Sequence, residues 1–220
     1  MSGYRAILFD ACSTLLEVDT LRLEQCLAKS GRPAFGMRDA VWAVTTGTAH
    51  DATAGTHGDG PSWLPALANL VDIPLEALAQ TWMREDTSKN LWGRAIEGAP
   101  SLLASLQQQG YRLGVVSNAD GRIEDALRLA GLLDYLDVVI DSAVVGVAKP
   151  DPRIFDPALQ ALGLLPKEVC YVGDSVIFDV PAAVDAGVAV WLIDHTGQSE
   201  PDHGKVVTTF PELLHKLALL

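Results

Sequence analysis

The sequence predicts an α/β protein with a parallel sheet, and a smaller helical unit inserted after the first strand. Two observations carry this reading. In the second half, short β-branched or apolar runs alternate with amphipathic stretches, the order that yields a parallel sheet covered by helices on both faces. Between residues 17 and 97 the strand signal fades and helical spacing replaces it. The sheet unit is therefore placed at residues 1–16 and 98–220, and the helical unit at 17–97.

Ala6-Ile7-Leu8-Phe9 reads as the first strand. In the helical unit, Leu75, Leu78, Ala79, Trp82 and Met83 follow Pro74 at the spacing of one helix face. Trp42, Trp63, Trp82 and Trp92 also fall there, and they are expected to form its small core. Cys26 is expected to be buried in an amphipathic stretch. The segment from Thr45 to Gly60, rich in Gly, Thr, Ala and His, reads as a weak helix giving way to a mobile loop. Beyond Gly98 the strand signals are Val115-Val116, Val138-Val139-Ile140, Val169-Cys170-Tyr171-Val172 and Ala189-Val190-Trp191-Leu192-Ile193. Ile154, Phe155, Ala158, Leu159 and Leu162 form an intervening helix face. Gly110, Gly131, Gly163 and Gly187 each stand where a helix needs a left-handed end.

Composition narrows the function. Sixteen Lys and Arg against 28 Asp and Glu give a net charge of −12, with no basic footprint for nucleic acid. Any anionic ligand must be drawn by local charge or by a metal, because the overall field repels it. No apolar run reaches membrane-spanning length. The first residues run directly into an apolar strand, leaving no room for a signal peptide. Three cysteines (Cys12, Cys26, Cys170) lack metal-type spacing and are an odd number, as expected of reduced thiols in a cytoplasmic protein.

Ligands of a parallel α/β sheet sit beyond the carboxyl ends of its strands. The first strand delivers Asp10 and then Ala11-Cys12-Ser13-Thr14. The second delivers Ser117-Asn118, the loop after the third carries Lys149-Pro150, and the fourth delivers Gly173-Asp174-Ser175, with Asp179 shortly after. Singly, such an Asp is a turn former or helix cap, and such a Lys a solvated loop residue. Together they place carboxylates, a hydroxyl and an ammonium on one rim.

Four motifs occur in order: Phe9-Asp10-Ala11-Cys12-Ser13-Thr14-Leu15, Val116-Ser117-Asn118, Lys149-Pro150-Asp151-Pro152, and Val172-Gly173-Asp174-Ser175-Val176-Ile177-Phe178-Asp179. In these the chain resembles the haloacid dehalogenase-like superfamily, in the branch with a helical cap after the first strand. The resemblance implies a Rossmann-like core and a Mg²⁺ site built from Asp10, Asp174, Asp179 and the backbone carbonyl of Cys12. It implies Asp10 as the covalent nucleophile, with Ser117, Asn118 and Lys149 binding the phosphoryl group and Asp179 orienting a metal-bound water. Oxygen ligands of this kind suit Mg²⁺, and a cation offsets the repulsion that would keep Asp10 from an anionic substrate.

Position 12 departs from the phosphatase pattern. There the family usually has a second Asp, which protonates the leaving oxygen and later activates water. A thiol is a poor substitute at neutral pH. The first expectation is a Mg²⁺-dependent phosphohydrolase acting on a small phosphorylated metabolite. The second is a 2-haloacid dehalogenase, whose halide leaves without protonation; Arg32 or Arg38 would then bind the substrate carboxylate. The third is a phosphometabolite-binding protein with a vestigial site. His50, Asp51 and His57 are candidates for the missing acid–base function. His195, after the last clear strand, lies near the rim with no assigned role.

Overall fold

The computed structural model describes residues 3–32, 36–45, 63–195 and 205–219. The expected strands form one parallel sheet. In chain order its members are β1 (Ala6–Phe9), β4 (Arg112–Ser117), β5 (Val138–Asp141), β6 (Val169–Gly173), β7 (Ala189–Ile193) and β8 (Val206–Val207). Their spatial order is β5-β4-β1-β6-β7-β8. β1 lies inside the sheet, pairing Phe9 with Val115 on one side and Val172 on the other. That position explains why all four of its residues are apolar and buried.

Alternation along β1 feeds two cores. Ile7 and Phe9 pack with Leu103 and Leu106 of α5 (Ala99–Gln108), Leu127 of α6 (Ile123–Leu129) and Leu213 of α10 (Phe210–Ala218). Ala6 and Leu8 face the opposite layer, with Ala158 of α8 (Asp156–Leu162) and Ala183 of α9 (Asp179–Asp185). The short helix α7 (Ser142–Val145) follows β5. Gly110, Gly131, Gly163 and Gly187 all adopt positive φ, as their positions predict. Among the described residues, no helix is long and apolar enough to cross a membrane.

The helical stretch contains α1 (Thr20–Lys29), α2 (Met37–Thr45), α3 (Leu64–Leu70) and α4 (Leu75–Lys89). It has its own core, in which Leu23, Leu27, Met37, Leu64, Leu67, Leu78 and Trp82 are buried. A two-stranded antiparallel ribbon, absent from the sequence reading, brackets it: β2 (Leu16–Glu17) pairs with β3 (Arg94–Ala95). The edge strand β8 was also not expected.

Three expectations about side chains need correction. The buried stripe of α4 is narrower than the spacing suggests, because Leu75 and Met83 are exposed, while Leu78 and Trp82 are buried and Ala79 packs partly against the core. Trp63 and Trp82 meet edge-to-face at 4.9 Å, and Trp92 packs partly against this core as well as the sheet-side one, whereas Trp42 packs partly against the sheet-side core. Cys26 is half-buried, since α1 presents Leu23 and Leu27 inward. The stretch 46–62, with most of the expected Thr45–Gly60 loop and with His50, Asp51 and His57, lies outside the described residues.

Gly114 shows how tightly side chains pack between neighbouring strands of the sheet. A Cβ there would lie 2.5 Å from Val138 Cγ1, 2.7 Å from Leu8 Cδ2 and 3.0 Å from the Val138 carbonyl oxygen. Gly114→Ala is expected to destabilise the protein by ~1–3 kcal/mol in urea unfolding, the usual range for overpacking. An unchanged midpoint and slope would show that the strand has slack at this point.

Candidate active site

The end of β1 begins the site. Asp10 donates its backbone N–H to the Val172 carbonyl at 2.8 Å, which keeps it in register with β6 as the strand finishes. The chain then turns back: the Ala11 carbonyl accepts from Leu15 and Leu16, each at 2.8 Å, and Ser13 takes a left-handed φ of 61°. Cys12 sits in this turn, half-buried.

The other predicted residues arrive on the same rim. Ser117 ends β4 and donates from Oγ to Asp10 Oδ1 at 3.0 Å. Lys149 is buried, and its Nζ lies 2.5 Å from Asp10 Oδ1 and 2.7 Å from Asp179 Oδ1. Asp174 follows β6 and accepts from Thr14 Oγ1 at 3.2 Å. Asp179 begins α9 and accepts on Oδ2 from the Ser175 N–H at 2.8 Å. Asn118 plays a part that the sequence did not suggest. Its side chain clamps the Lys149 backbone, donating from Nδ2 to the Lys149 carbonyl at 3.0 Å and accepting the Lys149 N–H at 2.8 Å. The loop carrying Asn118 is held in turn by Asp141, which accepts from Gly121, and by Ser142 Oγ, which bonds Ala119.

Close approach dictates Gly173. A Cβ at this position would lie 2.4 Å from Asp179 Cγ and Oδ2, so only glycine leaves space for that carboxylate. Tyr171 is a further residue missed from sequence. Its phenol lies within 2.9 Å of both Lys149 Nζ and Asp179 Oδ1, and 3.0 Å from the Val116 carbonyl. Within a strand it reads as one more buried apolar residue, and nothing local signals these partners. His195 has a placement too. Its Nε2 lies 3.3 Å from the Thr14 carbonyl, and its ring packs edge-on against Trp42 and Phe210. Burial lowers its pKa, outweighing the bond to Thr14, so the ring is neutral and donates from Nε2. Arg38 pairs with Glu17 at 3.3 Å and lines a narrow cleft with Ser13, Trp42 and Trp92; Arg32 is exposed and does not line it.

Charge at the rim is unbalanced. One oxygen from each of Asp10, Asp174 and Asp179 lies within 4.8 Å of the others. Burial, opposed by Lys149 and reinforced by Asp179, pushes the Asp10 carboxyl up to about 6. Burial and then Asp10 and Asp179 push Asp174 well above the carboxylate range. Burial works against the Lys149 charge, but Asp10 and Asp179 more than compensate and hold its pKa above the ordinary lysine value. Burial first, then Asp10 and Asp174, push the Cys12 thiol far up, so it stays protonated at neutral pH. With all three carboxylates ionised against one ammonium, two negative charges are left over. The donor set is hard oxygen, and a divalent cation would cancel that excess. The residues present therefore fit a metal such as Mg²⁺.

Known proteins resemble this chain in sequence and in fold. A family model described as haloacid dehalogenase-like hydrolase matches residues 4–187. The mouse Haloacid dehalogenase-like hydrolase domain-containing protein 3 is 35% identical over 146 residues, covering 66% of this chain and 57% of that protein. The phosphoserine phosphatase of Thermus thermophilus is 37% identical over 117 residues, covering 52% of this chain and 45% of that protein. The chain thus spans about half the length of these curated relatives. Among solved structures, a HAD family hydrolase from Deinococcus radiodurans R1 with bound phosphate and sodium superimposes with a TM-score of 0.67 at 27% identity, covering 100% of this chain and 99% of that one. The family model takes in all four strand-end motifs and most of the chain, and the chain belongs to the haloacid dehalogenase-like hydrolase family.

Proposed function

We propose that this chain is a Mg²⁺-dependent phosphohydrolase that acts on a small phosphorylated metabolite through an aspartyl-phosphate on Asp10. The observation that carries the reading is the grip on Asp10. Lys149 Nζ and Ser117 Oγ both bond its Oδ1, at 2.5 and 3.0 Å, beside the Asp174 and Asp179 carboxylates. Support also comes from relatives named as phosphatases and from the structural neighbour with bound phosphate.

Asp10, Asp174 and the Cys12 carbonyl would hold the cation, with Asp179 behind them. When bound, it supplies positive charge that lets a carboxylate approach an anionic phosphoryl group. Asp10 attacks phosphorus, the bond to the leaving oxygen breaks, and an acyl phosphate forms on Asp10. Ser117 and Lys149 donate to the phosphoryl oxygens as their charge grows. Water then cleaves the acyl phosphate, releasing inorganic phosphate and restoring the Asp10 carboxylate. Residues 17–97 act as a cap that excludes water from the rim, over a core formed by 1–16 and 98–220. The three unpaired thiols support a reducing, cytoplasmic setting.

Cys12 sets the chemical preference. Its raised pKa makes the thiol a weaker general acid toward a departing alkoxide than a carboxylic acid would be. Substrates whose leaving groups need little protonation, such as acyl and aryl phosphates, are therefore favoured. The acidic cluster favours this reading over a metal-free 2-haloacid dehalogenase, which has no need of three converging carboxylates.

A panel of phosphate esters, acyl phosphates and 2-haloacids, run with Mg²⁺ and with EDTA, tests the assignment. Asp10→Asn is expected to abolish phosphate release while the protein remains folded; wild-type turnover in that variant would overturn the role of Asp10. Halide release in EDTA would instead establish the dehalogenase reading. Cys12→Asp is expected to raise turnover of alkyl phosphates by ~10–10³-fold, restoring part of the usual general acid–base contribution. A vestigial site would show no gain. Cation binding must also displace protons from carboxyls whose pKa is raised, Asp10 to about 6. The thermal shift produced by Mg²⁺ should accordingly grow from pH 5 to pH 8; a shift that is flat or falls with pH contradicts the site.

A further inference from the structure

We infer that the Tyr171 hydroxyl is a two-position rotor that positions Lys149 and adjusts the hydrogen bonding of Asp179 to the presence of a cation. The inference rests on the phosphohydrolase reading and goes beyond it, because Tyr171 touches neither substrate nor Asp10. The geometry is specific. Lys149 has three N–H bonds to give, and three acceptors meet them: Asp10 Oδ1 at 2.5 Å, Asp179 Oδ1 at 2.7 Å and Tyr171 Oη at 2.9 Å. Accepting from Lys149 leaves the phenol one proton, and two acceptors compete for it, Asp179 Oδ1 at 2.9 Å and the Val116 carbonyl at 3.0 Å. Burial, reinforced by Asp179 and Asp10, keeps the phenol protonated.

The two orientations differ in what they do to Asp179. With the O–H turned to Asp179, that carboxylate accepts from Lys149, Tyr171 and the Ser175 N–H, and its charge is largely satisfied. With the proton turned to Val116, one of these donors is withdrawn, and more of the negative charge is available to a cation. No heavy atom need move, because the ring is wedged edge-on against Phe155, with centroids 4.9 Å apart. Lys149 keeps its third acceptor in both orientations. The rotor thus lets a buried cluster pass between two hydrogen-bonding patterns without leaving a polar group unpaired, which would otherwise be costly.

Removing the oxygen alone should separate these effects. Tyr171→Phe keeps the contact with Phe155, frees Asp179 of a competing donor and strips Lys149 of one acceptor. Measured by titration calorimetry without substrate, Mg²⁺ affinity is expected to rise ~3–10-fold, while kcat falls ~10–100-fold at nearly constant KM, as loss of hydrogen bonds to charged groups allows. Opposed movement is the signature, since a purely structural tyrosine would leave both unchanged or worsen both, and either result overturns the inference. Phe155→Leu serves as the packing control: it should lower thermal stability without the opposed shift, and reproducing that shift would assign the effect to packing and overturn the rotor. If Tyr171→Phe does not fold, 3-fluorotyrosine placed at 171 gives a stronger donor of similar shape. Mg²⁺ affinity should then fall ~2–5-fold, and an unchanged or higher affinity overturns the rotor. A wild-type protein with neither Mg²⁺ binding nor phosphate release would overturn the phosphohydrolase reading and the rotor together. Normal wild-type activity with an indifferent Tyr171→Phe overturns the rotor alone.

Discussion

Lys149 carries its ammonium to a position where the side chain is only 3% exposed, in contact with carboxylates from β1 and α9. Burial alone would strip such a group of its proton, and a charge stranded there without partners is strongly destabilising. Much of the surrounding architecture can be understood as meeting that condition. Asn118 fixes the Lys149 backbone, Gly173 makes room for Asp179, and Tyr171 accepts the remaining N–H. The sheet order brings these contributors together. β1 lies between β4 and β6, so the ends of the three strands that supply Asp10, Ser117 and Asp174 are neighbours.

The same crowding gives Cys12 a physical meaning. A carboxylate at that position would be a fourth acidic group among three whose oxygens already lie within 4.8 Å of one another. A thiol adds no charge, and its raised pKa keeps it neutral. On the proposed reading, a thiol at position 12 gives up acid–base power and lessens repulsion at the rim.

Much of this was legible in the chain. Ala6-Ile7-Leu8-Phe9 and Val169-Cys170-Tyr171-Val172 are unbroken buried runs, as strands covered on both faces require, and polar residues at their ends stand out. What escaped notice depends on contacts between distant segments. The ribbon β2–β3 is two residues long on each side and too short to show alternation. Tyr171 looks like a core residue because its polar contacts are made with three partners distant in sequence or hidden from it, Lys149, Val116 and Asp179. Spacing alone placed Leu75 and Met83 on the inner face of α4. The inner surface is narrower, because Leu78 and Trp82 fill the space opposite α3.

The β2–β3 ribbon bears on how the chain folds. β1 must pair with β4, yet about a hundred residues separate them, and closing so long a loop delays sheet formation. Leu16 and Ala95 meet across the ribbon at the two ends of the helical stretch. A helical stretch that folds first, around its own buried cluster, therefore shortens the remaining loop to about a quarter of its length. By the logarithmic dependence of loop entropy, two halvings reduce the closure cost by about 1.2 kcal/mol, close to a tenfold gain in the rate of first contact. An insertion that closed first would thus act as a splint for sheet assembly.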